Sequence, residues 1–438
     1  MARQSETEYH VAVEQLQPGV FIRLDGAWFE HPFLFNKFKI KNWEQINTLK
    51  KLGIDKVVYI PERSDHLPLR PAEAEAESGH HLGARPEVPP ERDAAVQFLW
   101  QLKKDRIAKL RQKHESLKRC KKEYEAALAR MPGLLQGIFS GTEEIVRQAG
   151  DTVHAMVGTF LGDTDAIVNI LTVAEQEETL YSHSLNVAVL SLMLGRTLGL
   201  SKAEMHCLGL GALLHDVGKM RIDRRILRKK EALTKPEREV VRMHPQYGVE
   251  TVAKAAGFPV EAAEVIAQHH ERMDGSGYPR GLPGKSIRRL ARIVAIADVY
   301  DNLCNNAQAV PQGAAEAMTP YQALAHMYTR QQNLLDMEIF ALFIHSLGIY
   351  PPGTFVRLSN GILAMVIAVN PANPLKPSLV LYDAEVPREE AVIFDMDDDP
   401  DVSVAATLEP VQVPADAVAY LNPGMRVTYF PEQGARPA

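Results

Sequence analysis

Cysteine is scarce in this chain. Cys120, Cys207 and Cys304 are the only three in 438 residues, and no two of them form a CxxC pair. A disulfide framework and a zinc knuckle are thereby excluded as organising devices, and the usage fits a reducing cytoplasm. Positive charge is not in excess either: 49 Lys and Arg against 55 Asp and Glu leave a formal net charge of -6. That balance argues against binding to nucleic-acid polymers, which calls for a basic surface. Long apolar runs are missing too. The most hydrophobic stretch, 185–200, is interrupted by Asn186 and Arg196, and the opening MARQSETEYH has no apolar core segment. Neither a membrane span nor a signal peptide is predicted. What remains is 46% hydrophobic and 24% charged, which describes a cytoplasmic chain able to bury ordinary cores in roughly two to four units.

The texture changes along the chain. Residues 1–65 read as a small α+β module: β-rich runs at 20–24 (VFIRL) and 57–60 (VVYI) flank a helix at 43–52 that stops at Gly53. Residues 66–95 are rich in Pro, Ala, Glu and Gly, with few large apolar groups, and read as a flexible linker in which His80 and His81 are solvated. In 96–131, Ile107, Leu110, His114, Leu117, Lys121, Tyr124, Leu128 and Met131 recur at spacings of three and four on a charged background. This coiled-coil pattern suits either a homodimer seam or a single helix packed on its neighbouring domain, and Pro132-Gly133 is expected to end it. Residues 132–348 are almost wholly helical, and 349–438 return to a small β-rich module with a hairpin turn at Ser359-Asn360-Gly361. The expected fold is mainly α, a helical bundle between two small terminal modules.

Within the helical region, His183, His215, Asp216, His244, His269, His270 and Asp298 stand on or beside apolar helix faces. His183 shares one with Val187, Leu190 and Leu194, and His215 with Met205, Leu208 and Ala212; Asp298 lies with Ala291 and Val294. Ser201 with Glu204, and Thr234 with Glu237, form capping boxes expected to open the helices carrying His215 and His244. A lone histidine on such a face is usually a hydrogen-bonded core residue. Seven imidazoles and carboxylates without matching Lys or Arg are costly to bury, and divalent cations are their usual compensation. So many ligands exceed the needs of one ion. Two ions sharing a bridging carboxylate, for which Asp216 is the best placed, suit in-line displacement at phosphorus, and a metallohydrolase acting on a phosphodiester follows. Lys219, one turn further on, is placed to balance phosphate charge or protonate the leaving oxygen.

The motifs His215-Asp216-x-Gly218-Lys219, His244-Pro245-x-x-Gly248, His269-His270-Glu271-x-x-Asp274-Gly275-x-Gly277-Tyr278-Pro279 and Ala297-Asp298-x-Tyr300-Asp301 together resemble the HD-GYP family of cyclic di-GMP phosphodiesterases over about residues 150–348. Leu16-x-Pro18-Gly19 and Trp28-x-x-His31-Pro32-Phe33 resemble the domain of unknown function often placed ahead of it. The resemblance implies an HD-type bundle in which those seven residues are metal ligands and Asp216 and Lys219 serve catalysis. The same resemblance implies that Lys219 contacts phosphate and that Asp274, Gly275, Gly277, Tyr278 and Pro279 border the substrate pocket or a surface for signalling proteins. It implies two transition-metal ions, Fe or Mn first and Co, Ni or Zn acceptable to the same ligands, and hydrolysis of cyclic di-GMP to pGpG and on to GMP in bacterial signalling.

Two departures from the family pattern stand out. Thr179, with Glu178 beside it, occupies the place where some members carry a third-metal Glu, which favours a two-metal site. The Thr-Ser-x-Arg-Pro-Tyr-Lys type segment that usually follows the last ligand Asp is replaced, leaving Ala307 and Val310 where its cations would stand. Metal binding is thus expected intact and substrate binding weakened. Two other readings accompany this one: a catalytically weak, metal-containing sensor or adaptor, and an HD phosphohydrolase acting on another nucleotide.

Overall fold

The computed structural model describes residues 7–25, 33, 37–70, 90–160, 180–229, 231–305, 318–370, 372–384, 386, 388, 391–399 and 401–421. The chain divides into two compact units, 1–112 with 383–390 and 113–382 with 391–438.

In the first unit, β1 (Tyr9–Ala12), β2 (Phe21–Arg23), β3 (Lys37–Lys39) and β4 (Lys56–Tyr59) form an antiparallel sheet in the order β1-β4-β2-β3. Helix α1 (Trp43–Lys51) begins where the Asn42 side chain accepts from the Gln45 amide, and it buries Ile46 and Leu49 among Val13, Leu16, Ile22 and Ile40. Strand β2 falls within its β-rich run, and β4 overlaps the second one, starting one residue earlier at Lys56. The short edge strands β1 and β3 carry no comparable apolar signal. Residues up to 70 are fastened to this sheet, since Leu69 N donates to Gln15 O at 2.8 Å and Gln17 Nε2 donates to Leu67 O at 2.7 Å. The expected linker 66–95 is therefore too wide at its start. It is too wide at its end as well, because α2 (Pro90–Gly137) already begins at Pro90, a residue that a first helical turn tolerates. His80 and His81 lie outside the described residues.

Helix α2 also runs through Pro132 rather than ending there. Proline removes one backbone hydrogen bond, but Met131, Leu134 and Leu135 on either side are buried in the bundle core, and that packing carries the helix onward. Cys120, Tyr124, Ala127 and Met131 belong to the same core. Tyr124, Leu128 and Met131 of the heptad-like stripe are thus occupied within the chain and follow the packed-helix reading rather than the dimer seam, while Lys121 is exposed. The side chains of Ile107, Leu110, His114 and Leu117 lie outside the described residues.

The bundle continues with α3 (Glu143–Phe160), α4 (Leu180–Thr197), α5 (Lys202–Leu213), a 3-10 turn at Val217–Arg221, and short α6 (Arg224–Leu227). It is completed by α7 (Lys235–Arg242), α8 (His244–Val252), α9 (Val260–Gln268), α10 (Arg289–Asn305), α11 (Pro320–Arg330) and α12 (Met337–Leu347). Helix α4 is buried on nearly every side, packed against α5, α10 and α12. Both capping boxes form. The Ser201 box, however, opens α5, which ends at Leu213 just short of His215, and the Thr234 box opens only α7. His244 starts a separate helix, because Pro245 lacks the N–H to continue α7 but is pre-shaped for a first turn. Among the described residues, no helix is long and apolar enough to cross a membrane.

A five-stranded antiparallel sheet ends the second unit: β5 (Phe355–Leu358), β6 (Leu363–Ala368), β7 (Ser378–Leu381), β8 (Ile393–Asp395) and β9 (Val404–Leu408), in the order β8-β7-β6-β5-β9. The expected hairpin pairs Phe355 with Met365. With α13 (Ala415–Leu421) the sheet builds its own small core around Phe355, Met365, Leu408 and Val418.

Candidate metal centre

Three of the candidate ligand histidines sit at helix ends, where carbonyls lack intrahelical partners. Nδ1 of His215 lies 2.7 Å from Ala212 O, that of His244 lies 2.8 Å from Val241 O, and that of His269 lies 2.9 Å from Ile266 O. A carbonyl only accepts, so each Nδ1 carries the proton and each Nε2 turns a lone pair inward. His244 Nε2 and His269 Nε2 consequently face each other at 3.2 Å. Two lone pairs at that distance repel, and a cation between them removes the conflict.

Asp216 stands at the middle. Its Oδ1 is 3.2 Å from His244 Nε2 and 3.9 Å from His269 Nε2, while its Oδ2 is 3.4 Å from His215 Nε2 and 3.7 Å from His183 Nε2. The side chains form two ligand groups, Asp216 with His244, His269 and His270, and Asp216 with His183 and His215. Asp298 reaches both: Oδ1 lies 3.1 Å from His183 Nε2 and 3.8 Å from His215 Nε2, and Oδ2 lies 3.7 Å from His270 Nδ1. The seven sequence candidates therefore converge. His215 Nε2 and Asp216 Oδ1 are fully buried and have no hydrogen-bond partner among the described residues, which is costly without a metal. The donor set, imidazole and carboxylate with two open clusters, fits divalent transition metals.

Charge is tuned in the same sense. Burial works against a charged Asp216, yet the Lys219 ammonium outweighs it and holds the carboxyl well below its usual range; Asp298 is likewise lowered, against burial, chiefly by its hydrogen bond with His183. Burial first, then the neighbouring imidazoles, push His269 and His270 far below the ordinary histidine value, which keeps them neutral and ready to ligate. His183 differs. Burial opposes its charged form, but hydrogen bonds to Asp298 and Asp301 prevail and raise it to about 10.

Around this cluster, Lys219 Nζ donates to Asp216 Oδ2 at 2.6 Å. The Tyr278 ring stacks on His270 with centroids 4.6 Å apart, and the Arg242 guanidinium lies 4.9 Å from the Tyr278 ring centroid. Gly277 has no room for a side chain, since a Cβ there would lie 2.6 Å from His270 O. Buried Glu271 holds the loop from below, accepting from Arg280 N and Leu282 N at 2.8 Å each. The Asp274 carboxylate accepts from Ser276 N and Oγ, and so shapes the loop beside Gly275 rather than touching the ligands. Pro279 follows Tyr278 through a cis peptide bond. Thr179, Glu178, Ala307 and Val310 lie outside the described residues.

Residues 168–339 match the HD domain, and residues 9–149 match a domain of unknown function, DUF3391. The chain therefore carries a segment similar to the HD domain, with a segment similar to DUF3391 ahead of it. Its motifs are those by which the sequence resembles the HD-GYP family. Over 389 residues it is 28% identical to a cyclic di-GMP phosphodiesterase of Pseudomonas aeruginosa, covering 87% of this chain and 88% of that one. The cyclic di-GMP phosphodiesterase response regulator RpfG of Xanthomonas campestris is 39% identical over 145 residues, 33% of this chain and 37% of that one. A 3'3'-cGAMP-specific phosphodiesterase of Vibrio cholerae is 34% identical over 169 residues, 39% of this chain and 35% of that one. The chain thus spans only about a third of the length of the latter two.

Several side chains that support the site drew no role from the sequence. Asp301 shares the α10 face of Asp298 three residues on, a spacing that signals a second inward carboxylate. Glu271 was visible only as part of a motif, and Arg242 reaches Tyr278 through tertiary packing that no local pattern announces.

Proposed function

We propose that this protein is a metal-dependent phosphodiesterase that hydrolyses cyclic di-GMP to pGpG and on to GMP in bacterial cytoplasmic signalling. The observation that carries the reading is the sharing of Asp216 between two ligand groups, with Asp298 reaching both. The names of its relatives supply the substrate class. Two bound divalent ions, Fe or Mn in the first place, supply an activated water and neutralise charge at phosphorus.

The chain's own groups bind and orient. His183, His215, His244, His269, His270, Asp216 and Asp298 hold the ions. Lys219, partly exposed beside Asp216, offers its ammonium to a phosphate oxygen and a proton to the departing one. Tyr278 presents a flat ring next to His270, and Arg242 adds a cation at the same wall. The loop of Asp274, Gly275, Gly277, Tyr278 and Pro279 borders the pocket and is the surface offered to signalling proteins.

Elemental analysis of the full chain should find about two transition-metal ions per molecule, and far fewer in the double variant His215→Ala with Asp216→Ala. Equal content in both proteins would remove the centre. Turnover of cyclic di-GMP and of 3'3'-cGAMP by the metal-loaded chain, with products separated by chromatography, tests the reaction. Metal bound without turnover of either dinucleotide would favour the sensor reading.

A further inference from the structure

Three of the ligand imidazoles are oriented by carbonyls at the ends of their own helices. His183 cannot be. It lies in the first turn of α4, where the carbonyls are committed to intrahelical bonds, and its Nδ1 meets a side chain instead, Asp301 Oδ2 at 2.7 Å. Asp301 Oδ1 in turn accepts from Asn186 Nδ2 at 2.9 Å, and Asn186 Oδ1 accepts from Tyr124 Oη at 2.6 Å. All three are buried: Tyr124 is 2% exposed, Asn186 6% and Asp301 3%. The sense of the chain is fixed by chemistry. A carboxylate only accepts, so the Asn186 amide turns its NH2 to Asp301 and its oxygen to the tyrosine hydroxyl, and His183 gives its Nδ1 proton to Asp301.

Asn305 Nδ2 also donates to Asp301 Oδ1, at 2.8 Å, but from the same helix α10. The Asn186 bond joins the His183 bond in tying α10 to α4 and, through Tyr124, extends the tie to the long helix α2. Tyr124 lies outside the segment 168–339 that matches the HD domain. We infer that Tyr124, acting through Asn186 and Asp301, positions the metal ligand His183, so that a helix from outside the HD domain completes the metal centre. Buried side-chain networks of this kind hold a first ligand in one rotamer and one tautomer, and their loss is felt as metal affinity.

The inference rests on the metal reading given under Proposed function, and its test separates the two. Full-length wild type, Tyr124→Phe, Asp301→Asn and the double variant are loaded with metal and titrated with a chelator, reading ions retained per chain, while the Tm of each metal-free form is followed separately. Asp301→Asn should weaken retention by on the order of 10- to 100-fold. Tyr124→Phe, which deletes one neutral hydrogen bond, should weaken it by roughly 2- to 10-fold. The double variant should retain metal about as well as Asp301→Asn alone, because the tyrosine acts through the carboxylate. Wild-type retention by Tyr124→Phe, whether or not its Tm falls, would overturn the inference alone, as would fully additive losses in the double variant. Absence of metal from the wild type would overturn both readings.

Discussion

The backbone of Gly218 lies directly against that of His244: a methyl group at Gly218 would overlap the His244 carbonyl oxygen and stand 2.6 Å from the Gly248 nitrogen. The 3-10 turn after Asp216 and the first turn of α8 are thereby pressed together, which is what brings His244 Nε2 to within 3.2 Å of Asp216 Oδ1. Gly218→Ala should force the two backbones apart, at about 1–3 kcal/mol of stability, and lower metal content together with Tm. Thermal unfolding and elemental analysis check this. A variant with wild-type metal content would show that the glycine serves only local packing.

Glu271 bears on the loop rather than on the ligands. Its two oxygens take the Arg280 and Leu282 amides, and a glutamine in its place turns one acceptor into an NH2 that faces a donor. Replacing a charged hydrogen bond in a buried setting costs about 1.5–3 kcal/mol, spent here on the position of the loop that carries Tyr278. Glu271→Gln should therefore raise KM for cyclic di-GMP more than it lowers kcat, with metal content unchanged. Loss of metal in this variant would mean that Glu271 supports the ligands themselves.

A pH effect follows from the capping box that opens α7. Hydrogen bonds from Lys229, then from the Thr234 backbone and side chain, hold the Glu237 carboxyl at about 2 against an ordinary 4.5. A folded-state value below the unfolded one means that the unfolded chain binds the proton more readily, so the contribution is fully present above about pH 4.5 and is lost as pH falls toward 2. In a series of Tm measurements, Glu237→Gln should show a flatter decline than wild type between those limits. Parallel curves would show that the cap carries no linked proton.

Legibility from sequence tracks distance along the chain. The β5–β6 hairpin and both capping boxes are written in residues a few positions apart, and all three form. The ligand set could be read because each imidazole or carboxylate interrupts an apolar face, a local contradiction that burial makes expensive. The Tyr124–Asn186–Asp301 chain joins residues 62 and 115 positions apart, so no window of sequence contains it. Pro132 misled for a related reason: the local rule ends a helix there, while the burial of Met131 and Leu135 in the bundle overrides it. Tyr124 and Met131 fit a heptad stripe equally well whether the partner is a second chain or the chain's own bundle, and only the fold distinguishes the two.

The substitution most particular to this chain concerns the cations that the resemblance leads one to expect after Asp298 and that are missing at Ala307 and Val310. A cyclic dinucleotide carries two phosphate charges, and a bidentate Arg contact to phosphate is roughly twice as strong as a neutral hydrogen bond. Groups that only position the substrate contribute to its binding, whereas under the proposed function the hydrolytic step depends on the residues around Asp216. Hydrolysis of cyclic di-GMP by the wild type should accordingly be slow at low substrate and show a high KM. Introducing Ala307→Arg and Val310→Lys together should lower KM with a smaller change in kcat. Steady-state kinetics on metal-loaded wild type and double variant decide it. A low KM in the wild type would place the phosphate grip on other cations, with Arg242 beside Tyr278 the first to replace by Ala.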